Sequence, residues 1–282
     1  TAISLTRLAS QLVDQQEDTS ICVFSVKKTP FNLSEGQVPA LVQEQNALKK
    51  QLLAVTAPIA QSRNVPLYVK SKAARRVEEA IYDELARHRD ISLVLLGYPK
   101  DESKVHTPNN ILKEIVMTAQ RNVGVLRDRG LERGIHRVLV PVGNGPNARL
   151  ALRLARDLAS PEPIQVTGLR IIKPGMDQEV VEDQMAQLHD IVEFELGEIP
   201  SYMELKVEQV SSVLDGILDE SKRGNYDLII IGAAEEVLRP ELIFGELNDN
   251  LLEEAECSVL VVRQYQPGGT IWLHKQLKRI EE

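Results

Sequence analysis

Leu228-Ile-Ile-Ile-Gly232 is an unbroken apolar run closed by glycine, and Ser92-Leu-Val-Leu-Leu-Gly97 is its counterpart earlier in the chain. Short apolar runs bounded by turn residues read as parallel strands covered on both faces. Each leads to a similar close, Ala119-Gln-Arg-Asn-Val-Gly-Val-Leu-Arg127 in one case and Ala255-Glu-Cys-Ser-Val-Leu-Val-Val-Arg263 in the other. Each is preceded by a helical stretch, carrying Ile81 with Asp83-Glu84 or Ile217 with Asp219-Glu220. Before those come Pro66-Leu-Tyr-Val69 and Glu204-Leu-Lys-Val207.

The correspondence continues to the start of the chain. Ile21-Cys-Val-Phe-Ser-Val26 matches Gln165-Val-Thr-Gly-Leu-Arg-Ile-Ile172, and both run into a Lys-Thr-Pro or Lys-Pro stop. Ala2, Arg7, Leu8, Ala9 and Leu12 recur as Ala148, Arg153, Leu154, Ala155 and Leu158, at spacings that make both segments amphipathic helices. Landmarks in one order predict an internal duplication. Alternating strands and helices predict α/β domains with right-handed crossovers, each a doubly wound parallel sheet, related by a pseudo-two-fold axis. The expected boundaries are 1–130 for the first copy and 135–265 for the second, with a C-terminal amphipathic tail at 266–282. Asp128 to Gly134 reads as a charged, glycine-punctuated linker.

One element lacks a partner. Arg137-Val-Leu-Val-Pro-Val142 precedes the first helix of the second copy, and the first copy has no equivalent. A parallel sheet lacking an inner strand leaves buried ladder groups unpaired. The expectation is that the missing strand lies upstream in a longer polypeptide, or that another segment fills its place.

Composition narrows the function. The 282 residues suffice for two domains; 43% are hydrophobic and 26% charged, the profile of a globular protein. The net charge of −8 argues against a nucleic-acid binder, which needs a basic face. No apolar run reaches the ~20 residues of a membrane-spanning helix. Cys22 and Cys257 lack metal-type spacing and read as reduced core residues, pointing to a cytoplasmic location.

The second copy resembles the universal stress protein family. Val138-Leu-Val-Pro-Val142, Tyr226-Asp-Leu-Ile-Ile-Ile-Gly232, Phe244-Gly245 and Glu256-Cys-Ser-Val-Leu-Val-Val262 carry the resemblance, and the first copy shares it through the repeat. It implies a five-stranded sheet of order 3-2-1-4-5 and frequent dimerisation. ATP-binding members carry Gly-x-x-Gly, nine residues, then Gly-Ser/Thr after the fourth strand, where backbone N–H groups and a hydroxyl meet phosphate oxygens.

Against that pattern, Gly232 and Gly245 are in place while Glu235 and Glu246 stand at the second glycine and the hydroxyl position. Glu236 and Glu241 add negative charge. Like charges at ~4 Å repel by ~1 to 4 kcal/mol, enough to weaken phosphate binding by orders of magnitude. The acid such members carry at the end of the first strand is missing, since Val142 is followed by Gly143-Asn144-Gly145. In the first copy Gly97 remains, but Lys100 and then Asn110-Ile111 occupy the later positions. Lys100, Lys104 and His106 make that loop basic, which reads as a solvated surface loop. ATP binding is expected in neither copy, and no cofactor is expected.

Other chemistry leaves no trace. His88, His106, His136, His189 and His274 stand apart from one another and from cysteine at metal-ligand spacings, so no metal is expected. There is no Gly-x-Ser-x-Gly elbow, and no catalytic residue is expected. In the tail, Leu273, Leu277 and Ile280 form an apolar stripe beside Trp272, best read as docking on protein. Degenerate tandem copies of this family occur in cytoplasmic C-terminal regions of amino-acid permeases and cation–chloride cotransporters. The resemblance therefore implies a non-catalytic regulatory or dimerisation module of a membrane transporter, a homodimer joined through Val123–Arg127 or Val259–Arg263, with the transmembrane part of its own polypeptide as partner. The alternative is a free-standing tandem stress protein that binds a nucleotide or another anion.

Overall fold

The computed structural model describes residues 2–13, 19–30, 38–99, 110–160, 162–235 and 242–267. Lys100, Lys104, His106, Glu236, Glu241 and the tail from residue 268 lie outside the described residues. The first half comprises α1 (Ala2–Leu12), β1 (Ile21–Lys28), α2 (Val38–Gln61), β2 (Leu67–Ala74), α3 (Val77–Arg87), β3 (Leu93–Gly97), α4 (Ile111–Thr118) and β4 (Asn122–Arg127). The second comprises β5 (Arg137–Pro141), α5 (Pro146–Ala159), β6 (Gln165–Ile172), α6 (Gln178–Leu196), β7 (Met203–Gln209), α7 (Val213–Arg223), β8 (Leu228–Gly232), α8 (Glu246–Glu254) and β9 (Ser258–Arg263).

Local chemistry sets the boundaries in the second half. Pro146 opens α5, where its missing N–H costs no hydrogen bond. Asp177 caps α6 by accepting from the Val180 N–H at 3.1 Å, and Gly197, at φ 85°, ends it. Ser212 accepts from the Asp215 N–H at 3.2 Å to start α7, whose last turn carries Lys222 and Arg223 facing the negative end of the helix dipole.

The strands form two sheets. Seven lie in the order β3-β4-β9-β8-β5-β6-β7, and β1 pairs with β2 in a separate parallel ribbon. Within the second half the order β7-β6-β5-β8-β9 is 3-2-1-4-5, all parallel, as the sequence resemblance implied. The first half departs from the expectation of its own complete sheet. Its second and third strands stand apart as β1–β2, while its fourth and fifth, β3 and β4, join the other half's sheet. Among the described residues no strand bridges β1 to β3.

The halves meet at β4 and β9, the single antiparallel pairing of the large sheet. Val125 lies opposite Val261, with Gly124 opposite Val262 and Leu126 opposite Leu260. The spacing that relates Asn122 to Ser258, the first residues of the two strands, also relates Val125 to Val261. Equivalent residues face each other, so the pseudo-two-fold axis passes between these valines. This corrects the expectation that Val123–Arg127 or Val259–Arg263 would carry homodimerisation. Each strand already pairs on both sides within the chain, and neither offers a free edge.

Arginines reinforce the join. The Arg263 guanidinium, its pKa lowered by burial, donates to the Val116 carbonyl at 2.9 Å near the C-terminus of α4. Arg129 donates to the Leu252 and Glu253 carbonyls at the end of α8. The charged, glycine-punctuated linker is anchored along its length. Leu131 is buried, and the Asp128 carboxylate accepts from the N–H groups of Gly130 and Leu131 and from the Ser4 hydroxyl. Burial alone would raise the Asp128 pKa, but these donors outweigh it and hold the carboxyl below its ordinary value.

Both core layers cross the join. One face gathers Leu8 and Leu126 with Val138, Leu152, Leu158 and Leu188. The other gathers Ile115 and Val125 with Ile229, Leu251 and Val261. Ile21, Ala60 and Val65 make a small third core beneath the ribbon.

Gly232 ends β8 where α5 crosses it. A Cβ there would lie 2.5 Å from the Asn147 carbonyl carbon and 2.6 Å from the Ala148 nitrogen. Backbone cannot yield as a side-chain tip can, so Gly232→Ala is expected to cost about 2–3 kcal/mol in a denaturant titration. Gly143→Ala, where a Cβ meets nothing within 4 Å, is the control and is expected to change stability by less than about 0.5 kcal/mol.

Candidate functional site

In an open α/β sheet, ligands bind outside the carboxyl ends of strands where the chain reverses its winding direction. Here that point lies between β5 and β8, paired at Val138–Leu228 and Leu139–Ile229. From β5 the chain winds outward to β6; from β8 it winds the opposite way to β9. The crevice is therefore walled by Val142–Gly145 and by Gly232–Glu235.

Its base is knotted by asparagines. Asn147, buried at the start of α5, donates to the Ala233 carbonyl and accepts from the Gln264 N–H, both at 2.8 Å. Asn248 donates to the carbonyls of Gly232 and Phe244 at 3.2 Å. Asp249 accepts from the N–H groups of Ile243 and Phe244 at 3.0 and 3.1 Å. Ile243 and Phe244 are thus held by α8 itself. Gly245 precedes that helix at φ 100°, a conformation that excludes most side chains, and a Cβ on it would lie 2.8 Å from the Ala234 Cβ.

A carboxylate stands over the N-terminus of α5, where an anion would meet the helix. Gly145 caps α5 without a side-chain bond, and Glu235 reaches across from the β8 end until its Oε1 lies 2.5 Å from where a Gly145 Cβ would stand. A carboxylate there meets the positive end of the α5 dipole. Glu246 is the first residue of α8, again at a positive helix end. The sequence-predicted set Gly232, Glu235, Gly245 and Glu246 thus converges on one crevice. Gly232 is explained by helix packing and Gly245 by its backbone angle.

The other wall carries Asn144, whose side-chain oxygen accepts from Arg170 of β6. Burial lowers the Arg170 pKa, and its Nη1 is buried without a hydrogen-bond partner among the described residues. Val142 is buried and apolar, so this strand end brings no acid into the crevice.

In the first half, Gly97 ends β3 and Tyr98 is buried beneath the Arg127 guanidinium, 5.4 Å from the ring centre. Asn110 caps α4, its side-chain oxygen accepting from Leu112 and Lys113 N–H groups at 2.9 and 3.4 Å. The helix end that would receive a phosphate is served by its own side chain. With no described strand between β1 and β3, the described residues of this half form no equivalent switch point. Among the described residues no cluster of His, Cys, Asp and Glu is arranged to hold a metal ion, and no helix is long and apolar enough to cross a membrane.

The sequence reading missed a buried ion pair present in both halves. Lys206 on β7 donates to Glu220 on α7 at 3.1 Å, and Tyr226 donates to Glu220 at 3.0 Å with the Thr167 hydroxyl 2.7 Å from its oxygen. In the first half Lys70 on β2 donates to Glu84 on α3, with His88 2.7 Å from the same ammonium. The signal was present as the repeated Asp83-Glu84 and Asp219-Glu220, but only the strands supply the lysines. Burial raises the Glu220 pKa, yet hydrogen bonds from Arg223, Lys206 and Tyr226 outweigh it and hold the carboxyl below 4.5. Cys257 is half-buried, its thiol pushed up to about 11 by burial, and Cys22 is likewise raised; both are free thiols.

Comparisons with known proteins agree with this architecture. Residues 134–263, the second half, match the model of the Universal stress protein family. A universal stress protein from Archaeoglobus fulgidus superposes with a TM-score of 0.62 at 12% identity, covering 94% of this chain and 91% of its own. The cytoplasmic domain of a prokaryotic cation chloride cotransporter superposes at 0.52 with 15% identity, over 88% of this chain and 96% of its own. A functionally unknown protein from Pseudomonas aeruginosa gives 0.54 at 14% identity, over 91% and 86%. At such identities the likeness is one of fold. No curated protein matches the chain.

A carboxyl with a depressed folded pKa stabilises the fold above its unfolded value and loses that contribution as pH falls through the folded value. Glu220→Gln is therefore expected to lower stability at pH 7 by about 1–2 kcal/mol and to flatten the loss of stability below pH 4.5, read by thermal unfolding across pH.

Proposed function

We propose that this chain is a non-catalytic regulatory module of a membrane transporter, of amino-acid permease or cation–chloride cotransporter type, whose nucleotide site has been replaced by internal carboxylates. The observation that carries the reading is the Glu235 side chain lying over Gly145 at the N-terminus of α5. A phosphate chain entering there would face that carboxylate and Glu246, at a repulsion of ~1 to 4 kcal/mol for each. A module that keeps the fold while filling its anion site with its own acids is suited to binding protein rather than to following nucleotide levels. The fold shared with the cotransporter's cytoplasmic domain, at 96% coverage of that domain, supports the transporter setting. In that setting the module works on the cytoplasmic face of the membrane and biases the conformation of the transmembrane part.

Arg170 favours a second reading, a stand-alone stress-type protein that binds a nucleotide or another anion. Its guanidinium stands beside the crevice through Asn144, with one buried nitrogen unpartnered. Calorimetric titration with Mg²⁺ and ATP separates the two. The regulatory reading expects no saturable binding up to about 1 mM, and expects Glu235→Gly with Glu246→Ser to gain at least tenfold in affinity over the starting chain. Saturable binding by the unaltered chain would favour the second reading. The encoding gene tests the setting: apolar segments of about 20 residues in the same reading frame support it, and a complete short frame contradicts it.

A further inference from the structure

The sequences of β3 and β8 are near-copies, Leu93-Val-Leu-Leu-Gly97 and Leu228-Ile-Ile-Ile-Gly232, and they hold equivalent places in the two halves. Their surroundings differ. Leu228 to Ile231 are buried, whereas all of Leu93 to Gly97 are only half-buried. The difference is the neighbour. β8 lies between β5 and β9, while β3 has β4 on one side and no strand on the other among the described residues. β1 likewise pairs only with β2.

Between these two edges lies a cleft of about 1290 Å³. Leu5 and Ala9 of α1 line one wall, Ile81 and Leu85 of α3 line another, and the strand edges contribute Val23 and Leu95. Helices above and below, with parallel strand edges on either side, are the surroundings of an inner strand in a doubly wound sheet. Strand edges that no described strand pairs, and apolar side chains on two faces, specify its occupant closely.

We propose that this cleft is the seat of an additional parallel β-strand, an apolar extended segment running directly into the N-terminus of α1 and hydrogen-bonded to β1 and β3 together. The second half fixes its direction and origin. There β5 pairs with β6 and β8, and its chain turns at Val142–Gly145 into α5, the helix equivalent to α1. The start of α1 is held near the carboxyl end of β4 by Ser4 and Asp128, as the start of α5 is held near that of β9 by Asn147 and Gln264. A strand whose carboxyl end leads into α1 therefore runs parallel to β3. Capture of a strand by two open edges is β-augmentation with both ladders engaged.

The test adds to the 282-residue chain an N-terminal extension copying Arg137–Pro146, alongside a control extension with aspartate at the positions that copy Val138, Leu139 and Val140. The expected result is a rise of at least about 4 °C in the unfolding midpoint, with at least tenfold slower hydrogen exchange in both Ile21–Lys28 and Leu93–Gly97, and neither change in the control. Slowing in only one strand, or in neither, overturns the proposal. So does an unextended chain that elutes as a dimer with both strands already protected, because a second copy would then fill the cleft.

Discussion

The pairing of β4 with β9 is the constraint on which the rest depends. It places Val125 against Val261, equivalent residues of the two halves, and so relates β3 and β4 to β8 and β9 by a pseudo-two-fold axis. Fully burying a valine is worth about 1.5–3 kcal/mol, and Val125, Leu126, Leu260 and Val261 are all essentially buried at this seam. Because both core layers run across it, β3 and β4 borrow the second half's sheet. A half that cannot close its own sheet remains folded by sharing its neighbour's.

The second half was legible almost residue by residue. Continuous apolar runs such as Leu228 to Ile231, bounded by turn residues, read as covered strands, and Pro146, Asp177 and Ser212 mark helix starts by local chemistry. That Arg137–Val142 has no counterpart earlier in residues 1–282 was also legible. Its consequence was not. Sequence periodicity describes each strand alone, whereas the separation of β1–β2 from β3–β4 follows from which edges find partners in space. For the same reason the last strands read as free dimer edges, when antiparallel pairing between copies already occupies them.

The candidate site divides similarly. Glu235 and Glu246 were visible as departures from a glycine and hydroxyl spacing, but not the reach of Glu235 across the crevice to Gly145. That contact joins loops distant in sequence, and it turns a charge argument into one of occupancy. Asn110 shows the same principle in the first half, since a side-chain cap already serves the N–H groups that an anion would need. The Lys206–Glu220 and Lys70–Glu84 pairs join a strand to a helix around a buried carboxylate and carry no local periodicity.

Native-state hydrogen exchange on the whole chain tests the central claim, that the halves are one cooperative unit held by the β4–β9 seam. The account predicts that Val123–Leu126 and Val259–Val262 exchange only through global unfolding, with the same opening free energy as Leu228–Ile231, while Ile21–Lys28 exchanges through a smaller opening. Exchange of the Val123–Leu126 amides through an opening that leaves Leu228–Ile231 protected would contradict it, because the seam would then part while the second half stayed folded.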